Sequence, residues 1–181
     1  MLVGLKRFAG RRSILAVLNA LMALPTVLVG LIVYALISRS GPLGGLGILF
    51  TPPAVVIGQA ILAFPIVASI VATGIGRLDP RLPEHLVTLG AGPWNILWMS
   101  VREARDVVLS AGLAAFGRVI GEVGVAMMLG GNIRWYTRTI TTAIALETSK
   151  GDFELGLALG IILMALALAV NAVLHRAVAH E

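Results

Sequence analysis

The sequence has 181 residues, of which 58% are hydrophobic and only 13% are charged, with a net charge of +5 and no cysteine. A soluble domain carries about 25% charged residues, so this composition excludes a soluble globular domain and fits a protein with several membrane-spanning helices. Without cysteine, the chain has no disulfide, zinc–thiolate site or iron–sulfur cluster.

Four apolar stretches are long enough to cross the bilayer core, which takes about 20 helical residues. They are residues 14–37, 48–74, 107–129 and 155–174. Pro25 and Pro65 lie inside the first two, where a missing backbone N–H is expected to kink a helix that its neighbours then support. The sequence therefore predicts an all-α fold, a polytopic membrane helical bundle of four spans in a single domain.

Two polar segments separate these stretches: residues 75–106, which we call the first polar loop, and residues 130–154, the second polar loop. With the N-terminus inside, nine basic residues lie on the inner side, namely Lys6, Arg7, Arg11, Arg12, Arg77, Arg81, Arg102, Arg105 and Arg176. Four lie on the outer side, namely Arg39, Arg134, Arg138 and Lys150. The positive-inside rule therefore places both termini and the first polar loop in the cytoplasm. Because the basic residues are spread over short loops, no nucleic-acid partner is expected.

The first polar loop is predicted to contain two helices. Glu84 to Leu89 makes about one and a half turns, which Gly90 ends. A second helix over residues 94–105 places one stripe at helical spacing, consisting of Trp94, Leu97, Trp98, Val101 and Ala104. Two tryptophans one turn apart suit the membrane–water interface. The pattern alone fits equally a solvated loop with an interfacial anchor.

Arg118 and Glu122 are four residues apart inside the third apolar stretch. An ionisable residue at that depth costs about 2.5–3.5 kcal/mol on insertion scales, so it is expected to face protein or water and to have a partner. Two interpretations stay open: the pair lines or latches a pathway, or it is an intrahelical pair that neutralises itself. Gly117, Gly121 and Gly124 form a small-residue stripe nearby, which indicates close helix packing or a moving gate helix, and a homodimer is expected.

The second polar loop is rich in hydrogen-bond donors. They include Asn132, Arg134, Thr137, Arg138 and Thr139. Amide, hydroxyl and guanidinium donors suit a bound oxyanion, although a polar external loop with no binding role has the same composition.

Enzymatic and metal functions find little support. His85, His175 and His180 are interpreted as surface histidines, because nothing beside them completes a metal site. There is no Ser–His–Asp set, no pair of carboxylates and no Walker A sequence, so the chain is expected to catalyse no reaction and to hydrolyse no ATP.

Two sets of motifs resemble a known family. Glu84 and Gly90 have the spacing of the cytoplasmic EAA loop in the permease subunits of bacterial ABC importers, with His85-Leu86 where Ala-Ala is usual and Val-Arg-Glu at 101–103 where Leu-Pro is usual. Gly-Glu-Val-Gly at 121–124, Gly-Asn-Ile at 131–133 and Thr-Arg-Thr-Ile at 137–140 resemble the molybdate and tungstate permeases. Residues 147–153 are similar to the tungstate permeases in particular. The resemblance covers essentially the whole chain.

The resemblance implies an ATP-driven importer of tungstate or molybdate. It assigns docking on a separate ATP-binding subunit to Glu84, His85, Leu86, Leu89, Gly90 and Ala91. Pathway or gate candidates are Arg118, Gly121, Glu122 and Gly124. The second polar loop would lie near an extracytoplasmic oxyanion-binding protein. ATP would bind the partner subunit, and this chain would bind no cofactor.

The same resemblance implies a location in the bacterial cytoplasmic (inner) membrane. The family has a five-span core, with three spans before the coupling loop, so a first span before Lys6 is expected to be missing here. Two other functions fit the residues: a channel or secondary transporter unrelated to ABC importers, and a membrane scaffold. A secondary transporter would respond to an ion gradient and ignore ATP.

Overall fold

The computed structural model describes residues 10–79 and 82–179. In that part of the chain the regular structure is helical, and the all-α prediction is confirmed. Its α-helices are α1 (Arg11–Met22), α2 (Thr26–Ile37), α3 (Pro52–Ile75), α4 (Leu82–Thr88), α5 (Pro93–Glu103), α6 (Arg105–Ile120), α7 (Gly124–Gly130), α8 (Ile140–Ser149) and α9 (Phe153–Ala179), and a short 3-10 helix covers Gly44–Leu46.

Helices α3 and α9 are the two long apolar helices. Pro52–Ile75 has 24 residues and Phe153–Val173 has 21, each enough to cross a membrane. α3 begins at Pro52-Pro53, where a missing N–H costs nothing because the first helical N–H groups have no intrahelical acceptor. It then continues through Pro65. These helices match the predicted second and fourth spans.

The first predicted span is not one helix. α1 and α2 meet at a bend of 97°. Pro25, just before α2, has ψ 127°, outside the helical region. Because its ring lacks an N–H and disfavours the helical conformation at Leu24, α1 cannot continue through it into α2. The kink predicted at Pro25 is therefore a full break, and the predicted span over residues 14–37 consists of a bent pair of helices.

The third predicted span is also broken. α6 and α7 meet at 68° across the three residues Gly121–Val123, so the continuous helix predicted over residues 107–129 is corrected. The break also interrupts the predicted glycine stripe. A Cβ added at Gly117 or Gly121 would meet nothing within 4 Å, whereas one at Gly124 would lie 3.1 Å from Val27 Cγ2. Of the three glycines, only Gly124 packs closely within the described chain.

The core lies where α2, α3 and α7 meet. Its buried residues are Val29, Val33, Ile37, Ala54, Val125 and Leu129. Gly58 of α3 makes this contact close, since a Cβ there would lie 2.4 Å from Leu129 Cδ1. At the other end of α3, Gly74 approaches α6, and a Cβ there would lie 2.2 Å from Val107 Cγ1. α3 therefore packs against α7 near its start and against α6 near its end.

The two polar loops lie at opposite ends of α3. The Phe50 N–H, just before α3, donates to the Leu129 carbonyl at 2.9 Å, which places the start of the second polar loop beside the start of α3. The first polar loop follows the other end of α3, about 36 Å away for 24 helical residues. The second polar loop also contains a helix, α8, which packs against α9.

Candidate functional site

The first polar loop contains both predicted helices. α4 spans Leu82–Thr88, and α5 spans Pro93–Glu103. The Ala91 N–H donates to the Leu86 carbonyl and the Gly90 N–H to the Val87 carbonyl, both at 2.9 Å. Gly90 has φ +78°, the left-handed conformation that favours glycine. This is a Schellman end, and it explains physically why a glycine follows the short helix.

The predicted coupling residues divide into two groups. Leu86 is 8% exposed and anchors α4 to the protein, whereas Leu89 is 82% exposed and His85 is also exposed. Ala91 is half-buried. Glu84 belongs to α4, but its side chain lies outside the described residues. α4 thus presents an apolar tip at Leu89, held by a buried anchor one turn earlier.

The predicted stripe on α5 is divided between two environments. Trp94 and Trp98 are 73% and 62% exposed, whereas Ala104, just after the helix, is buried. Within α5 the buried side chain is Ser100 and not a tryptophan. Its hydroxyl donates to the Ile96 carbonyl at 2.8 Å. Leu97 and Val101 are half-buried. The tryptophans are exposed while Ala104 at the other end of the stripe is buried, and the expected place of the tryptophans at the membrane–water interface stays a prediction.

The Arg118–Glu122 pair forms at the break in the third span. Arg118 Nη1 lies 3.0 Å from Glu122 Oε2. The other carboxylate oxygen, Oε1, accepts the Val125 N–H at 3.2 Å, in the first turn of α7. Glu122 is 5% exposed, and its main-chain carbonyl accepts the Thr141 hydroxyl at 2.9 Å. The pair is therefore not confined to one helix face, because Glu122 also contacts α7 and α8.

The predicted donors of the second polar loop bind mainly to their own loop. Thr137 is buried, donates its hydroxyl to the Gly130 carbonyl and accepts the Ile133 N–H at 3.0 Å. Arg138 Nε donates to Asn132 Oδ1 at 3.0 Å. These bonds hold the tight turn at Gly131, Asn132 and Trp135, which all have positive φ. Most of the predicted oxyanion donors thus already stabilise the loop.

Two further residues of that loop present different chemistry. The Thr139 side chain caps α8 by accepting the Thr142 N–H at 3.2 Å, and the Thr142 hydroxyl accepts the Thr139 N–H in return. The Arg134 guanidinium lies 5.2 Å from the Trp135 ring, and Trp135 is 89% exposed. Arg134 and Trp135 therefore belong to the exposed surface of the loop, together with Ile133, Tyr136 and Phe153.

Sequence reasoning missed Thr141 and the Val125 N–H as partners of Glu122. A Thr-x-x-Thr at 139–142 before an apolar run is a capping signal and could have revealed the start of α8. Nothing in the sequence pointed to the contact between Thr141 and the break, because the two are 19 residues apart. Among the described residues no group of three His, Cys, Asp or Glu could hold a metal. The His175 side chain and His180 lie outside that part.

Comparison with known proteins identifies the family. The model of the family described as "binding-protein-dependent transport system inner membrane component" matches residues 1–180. This match covers nearly the whole chain, including both polar loops and all the helices above.

Three relatives are similar over most of their length. A probable anion ABC transporter permease protein of Haloferax volcanii is 43% identical over 94% of this chain and 75% of its own length. The tungstate uptake system permease protein TupB of Campylobacter jejuni is 42% identical, over 93% of this chain and 71% of its own length. TupB of Peptoclostridium acidaminophilum is 38% identical, over 95% and 75%.

Proposed function

The chain belongs to the family of inner membrane components of binding-protein-dependent transport systems, and we propose that it is the permease subunit of an ABC importer for an oxyanion, tungstate in the first place and molybdate in the second. The similarity to two tungstate permeases and an anion permease supports this substrate class. The observation that carries the mechanism is the apolar tip of α4.

Helix α4 is the element that we assign to an ATP-binding subunit. Leu86 fixes the helix to the protein, Gly90 ends it in a Schellman turn, and Leu89 and His85 face outward at that turn. Glu84 and Ala91 complete the docking segment. Leu89 is 82% exposed and Val87 is 59% exposed in an otherwise polar loop, and we assign these apolar side chains to a contact with a soluble protein. Closure of paired ATPases would then push on α4, and α5 and α6 follow it directly in the chain.

Two copies of the chain form the pathway in this proposal. The exposed side of α6 carries a stripe of small residues at helical spacing, consisting of Ser110, Ala114, Gly117 and Gly121. A Cβ added at Gly117 or Gly121 would meet nothing within 4 Å, so a second helix has room to approach closely. A homodimer that packs α6 against the partner copy would bury this stripe.

The second polar loop is assigned to the extracytoplasmic binding protein. Its donors Asn132, Thr137, Arg138 and Thr139 hold the loop in shape, and the contact is assigned to its exposed side chains, with the Arg134–Trp135 pair among them. High-affinity recognition of the oxyanion would belong to the binding protein, and ATP would belong to the ATPase. This chain binds no cofactor in the proposal. Both termini and the first polar loop are cytoplasmic, as the distribution of basic residues indicates.

The proposal is tested by co-purification with the ATP-binding subunit. Leu89→Asp places a charge in the docking surface and is expected to abolish association, because a buried charge without a partner is strongly unfavourable. Trp135→Ala removes an equally exposed aromatic side chain at the opposite end of α3 and is the matched control. It should retain the ATPase and lose stimulation by the binding protein.

Transport provides the second readout. In proteoliposomes that contain the complex, uptake of tungstate should require ATP and the binding protein and should persist when ionophores dissipate the ion gradients. Uptake that follows a proton or sodium gradient and ignores ATP would contradict the proposal and indicate a secondary transporter. Equal ATPase binding by Leu89→Asp and the unsubstituted chain would contradict the assignment of α4.

A further inference from the structure

The break between α6 and α7 is held by one residue. Glu122 is 5% exposed, and three of its oxygens accept hydrogen bonds from three different segments. Oε2 accepts from Arg118 of α6 at 3.0 Å, Oε1 from the Val125 N–H of α7 at 3.2 Å, and the main-chain carbonyl from Thr141 of α8 at 2.9 Å. A single buried side chain and its own carbonyl therefore join all three helices.

The Glu122 carboxylate accepts a backbone N–H, that of Val125, which would otherwise have no acceptor within α7. The first N–H groups of a helix have no intrahelical acceptor, and in a membrane they find no water to bind. The N-cap residue of α7 is Val123, which offers no side-chain acceptor. The Glu122 carboxylate supplies the missing acceptor from the adjacent position. The bend of 68° is thus stabilised by the same carboxylate that binds Arg118.

The break between α6 and α7 lies beside the break between α1 and α2. A Cβ at Gly124 would lie 3.3 Å from Thr26 Oγ1, at the start of α2, and 3.3 Å from Glu122 Oε1. α2 and α7, which follow the two breaks, share the apolar core around Val125 and Leu129. α6, which precedes the second break, packs against the far end of α3 through Val107. Glu122 therefore lies at the junction of α6 and α7, beside the start of α2.

We propose that Glu122 is a positioning residue that sets the angle between α6 and α7 and links this angle to α8. The carboxylate holds the two halves of the broken span, and the Thr141 bond ties the junction to the helix that follows the exposed Arg134–Trp135 pair. α6 begins where the first polar loop ends, so a displacement of that loop is transmitted along α6 to Glu122. The partly exposed Arg118 moves with the junction, which deepens its proposed role at the gate.

A positioning role for Glu122 differs in its consequences from an ion pair that only neutralises charge. If the pair only cancelled charge, removing both charges together would leave the bend unchanged. Shortening the acid while keeping its charge would also leave it unchanged. If the carboxylate positions the helices, both changes should alter the bend, because each removes the simultaneous contact with Arg118 and the Val125 N–H.

The experiment measures the bend directly. The chain has no cysteine, so two introduced cysteines can carry spin labels without a background signal. Leu109→Cys on α6 and Met127→Cys on α7 are suitable because both side chains are exposed. The distance distribution between the labels is recorded on the full chain in nanodiscs, in the absence of any partner. The result therefore does not depend on the proposed transport function.

We expect Glu122→Gln, Glu122→Asp and the double variant Arg118→Gln/Glu122→Gln each to shift or broaden the distribution relative to the labelled parent. Thr141→Val, which removes only the hydroxyl, should broaden it less, and Thr73→Val on the exposed side of α3 should leave it unchanged. A parental distribution in Glu122→Asp and in the double variant would overturn the proposal. If the Glu122 variants do not fold, a parental distribution in Thr141→Val overturns the link to α8.

In the assembled importer the Glu122 variants are expected to lower transported anion per ATP hydrolysed by about tenfold, and the control Thr73→Val should leave this ratio unchanged. Basal ATP hydrolysis and association with the ATPase should stay within about twofold of the parent. This separates the two proposals. If neither the parent chain nor any variant bound the ATPase, while the label distribution still responded to Glu122, the importer would be contradicted and the positioning role would stand.

Discussion

The first and second polar loops lie at opposite ends of α3 and hold their backbones in different ways. In the first, the hydroxyls of Thr88 and Ser100 donate to carbonyls of their own helices, and the apolar side chains of Leu89 and Trp94 are largely exposed. In the second, the Thr137 and Thr141 side chains are buried and bond to residues 7 and 19 positions away. The second loop is thus held by polar contacts within itself and by the Thr141 bond to Glu122, and the first consists of two short helices with exposed apolar side chains.

This difference separates two kinds of interface. Short helices with one anchor, such as Leu86, can move as units, so the first polar loop is suited to transmit displacement from a docked subunit. A loop with buried and satisfied polar groups is rigid and presents a fixed surface. In the proposed importer, the second polar loop binds the binding protein. The first polar loop binds the ATPase and moves with it during ATP hydrolysis.

The largest change in the free energy of unfolding is expected from a substitution inside the second polar loop. Thr137→Val keeps the shape of the side chain but leaves the buried Gly130 carbonyl and the Ile133 N–H without their partner. Buried groups that lose a partner cost about 1–3 kcal/mol each, so we expect the free energy of unfolding to fall by about 2–3 kcal/mol. Equilibrium unfolding in mixed detergent micelles measures this. The control Thr73→Val, at an exposed position, should change it by less than about 0.5 kcal/mol.

Unchanged stability of Thr137→Val would contradict the difference drawn between the two polar loops. If Thr137→Val were as stable as the parent chain, the second polar loop would not be stabilised by its threonines, and its rigidity would need another source. Hydrogen exchange should agree with the unfolding data, with the Ile133 N–H protected in the parent and exchanging faster in the variant.

An intermediate effect is expected in the first polar loop. Gly90→Ala places a Cβ on a residue with φ +78°, which costs about 1–2 kcal/mol for an L-residue. Because the strain is confined to the end of α4, we expect docking on the ATPase to weaken by about tenfold while the global free energy of unfolding changes little. Gly92→Ala is the matched control, since Gly92 has φ −69° and a Cβ there meets nothing within 4 Å.

Affinity measured by titrating the ATPase onto the permease in nanodiscs distinguishes the two variants. Equal affinity of Gly90→Ala and Gly92→Ala would show that the Schellman end does not determine how α4 is presented. A global loss of stability in Gly90→Ala would show instead that the first polar loop is part of the cooperative core, and the contrast between the loops would fail.

Local signals predicted much of this architecture. The apolar runs located the four spans. Glu84 and Gly90 located α4, because a glycine commonly ends a helix by adopting the left-handed conformation. The breaks were harder. Pro25 signalled a kink but not a bend of 97°, because the angle depends on what α1 and α2 pack against. Gly121-Glu122-Val123 resembled a continuous helix, since its break requires a carboxylate to cap α7 and the local sequence does not show that contact.

The site followed the same division. Gly90 was predicted to end the short helix and does so with φ +78°, whereas the docking role of Leu89 and Gly90 came from the family resemblance and stays a prediction. The donors Asn132, Thr137, Arg138 and Thr139 were identified by chemistry as oxyanion contacts, and their internal hydrogen bonds could not be foreseen because these depend on the tight turn at Gly131. A donor-rich loop has the same composition whether its donors face a ligand or each other.

The smallest effect sharpens the contrast at the exposed surface of the second polar loop. The Arg134 guanidinium lies 5.2 Å from the exposed Trp135 ring, and an exposed cation–π contact contributes about 0.5–1 kcal/mol. Arg134→Gln should therefore lower the free energy of unfolding by about 0.5 kcal/mol, as should Arg134→Lys to a smaller extent, while Arg39→Gln at another exposed position on the same side should have no measurable effect. Unfolding in mixed micelles, followed by the Trp135 fluorescence in a Trp94→Phe/Trp98→Phe background, resolves a difference of this size. A loss as large as that of Thr137→Val would mean that the exposed pair also supports the loop from within, and the division between a rigid interior and a contact surface would have to be redrawn.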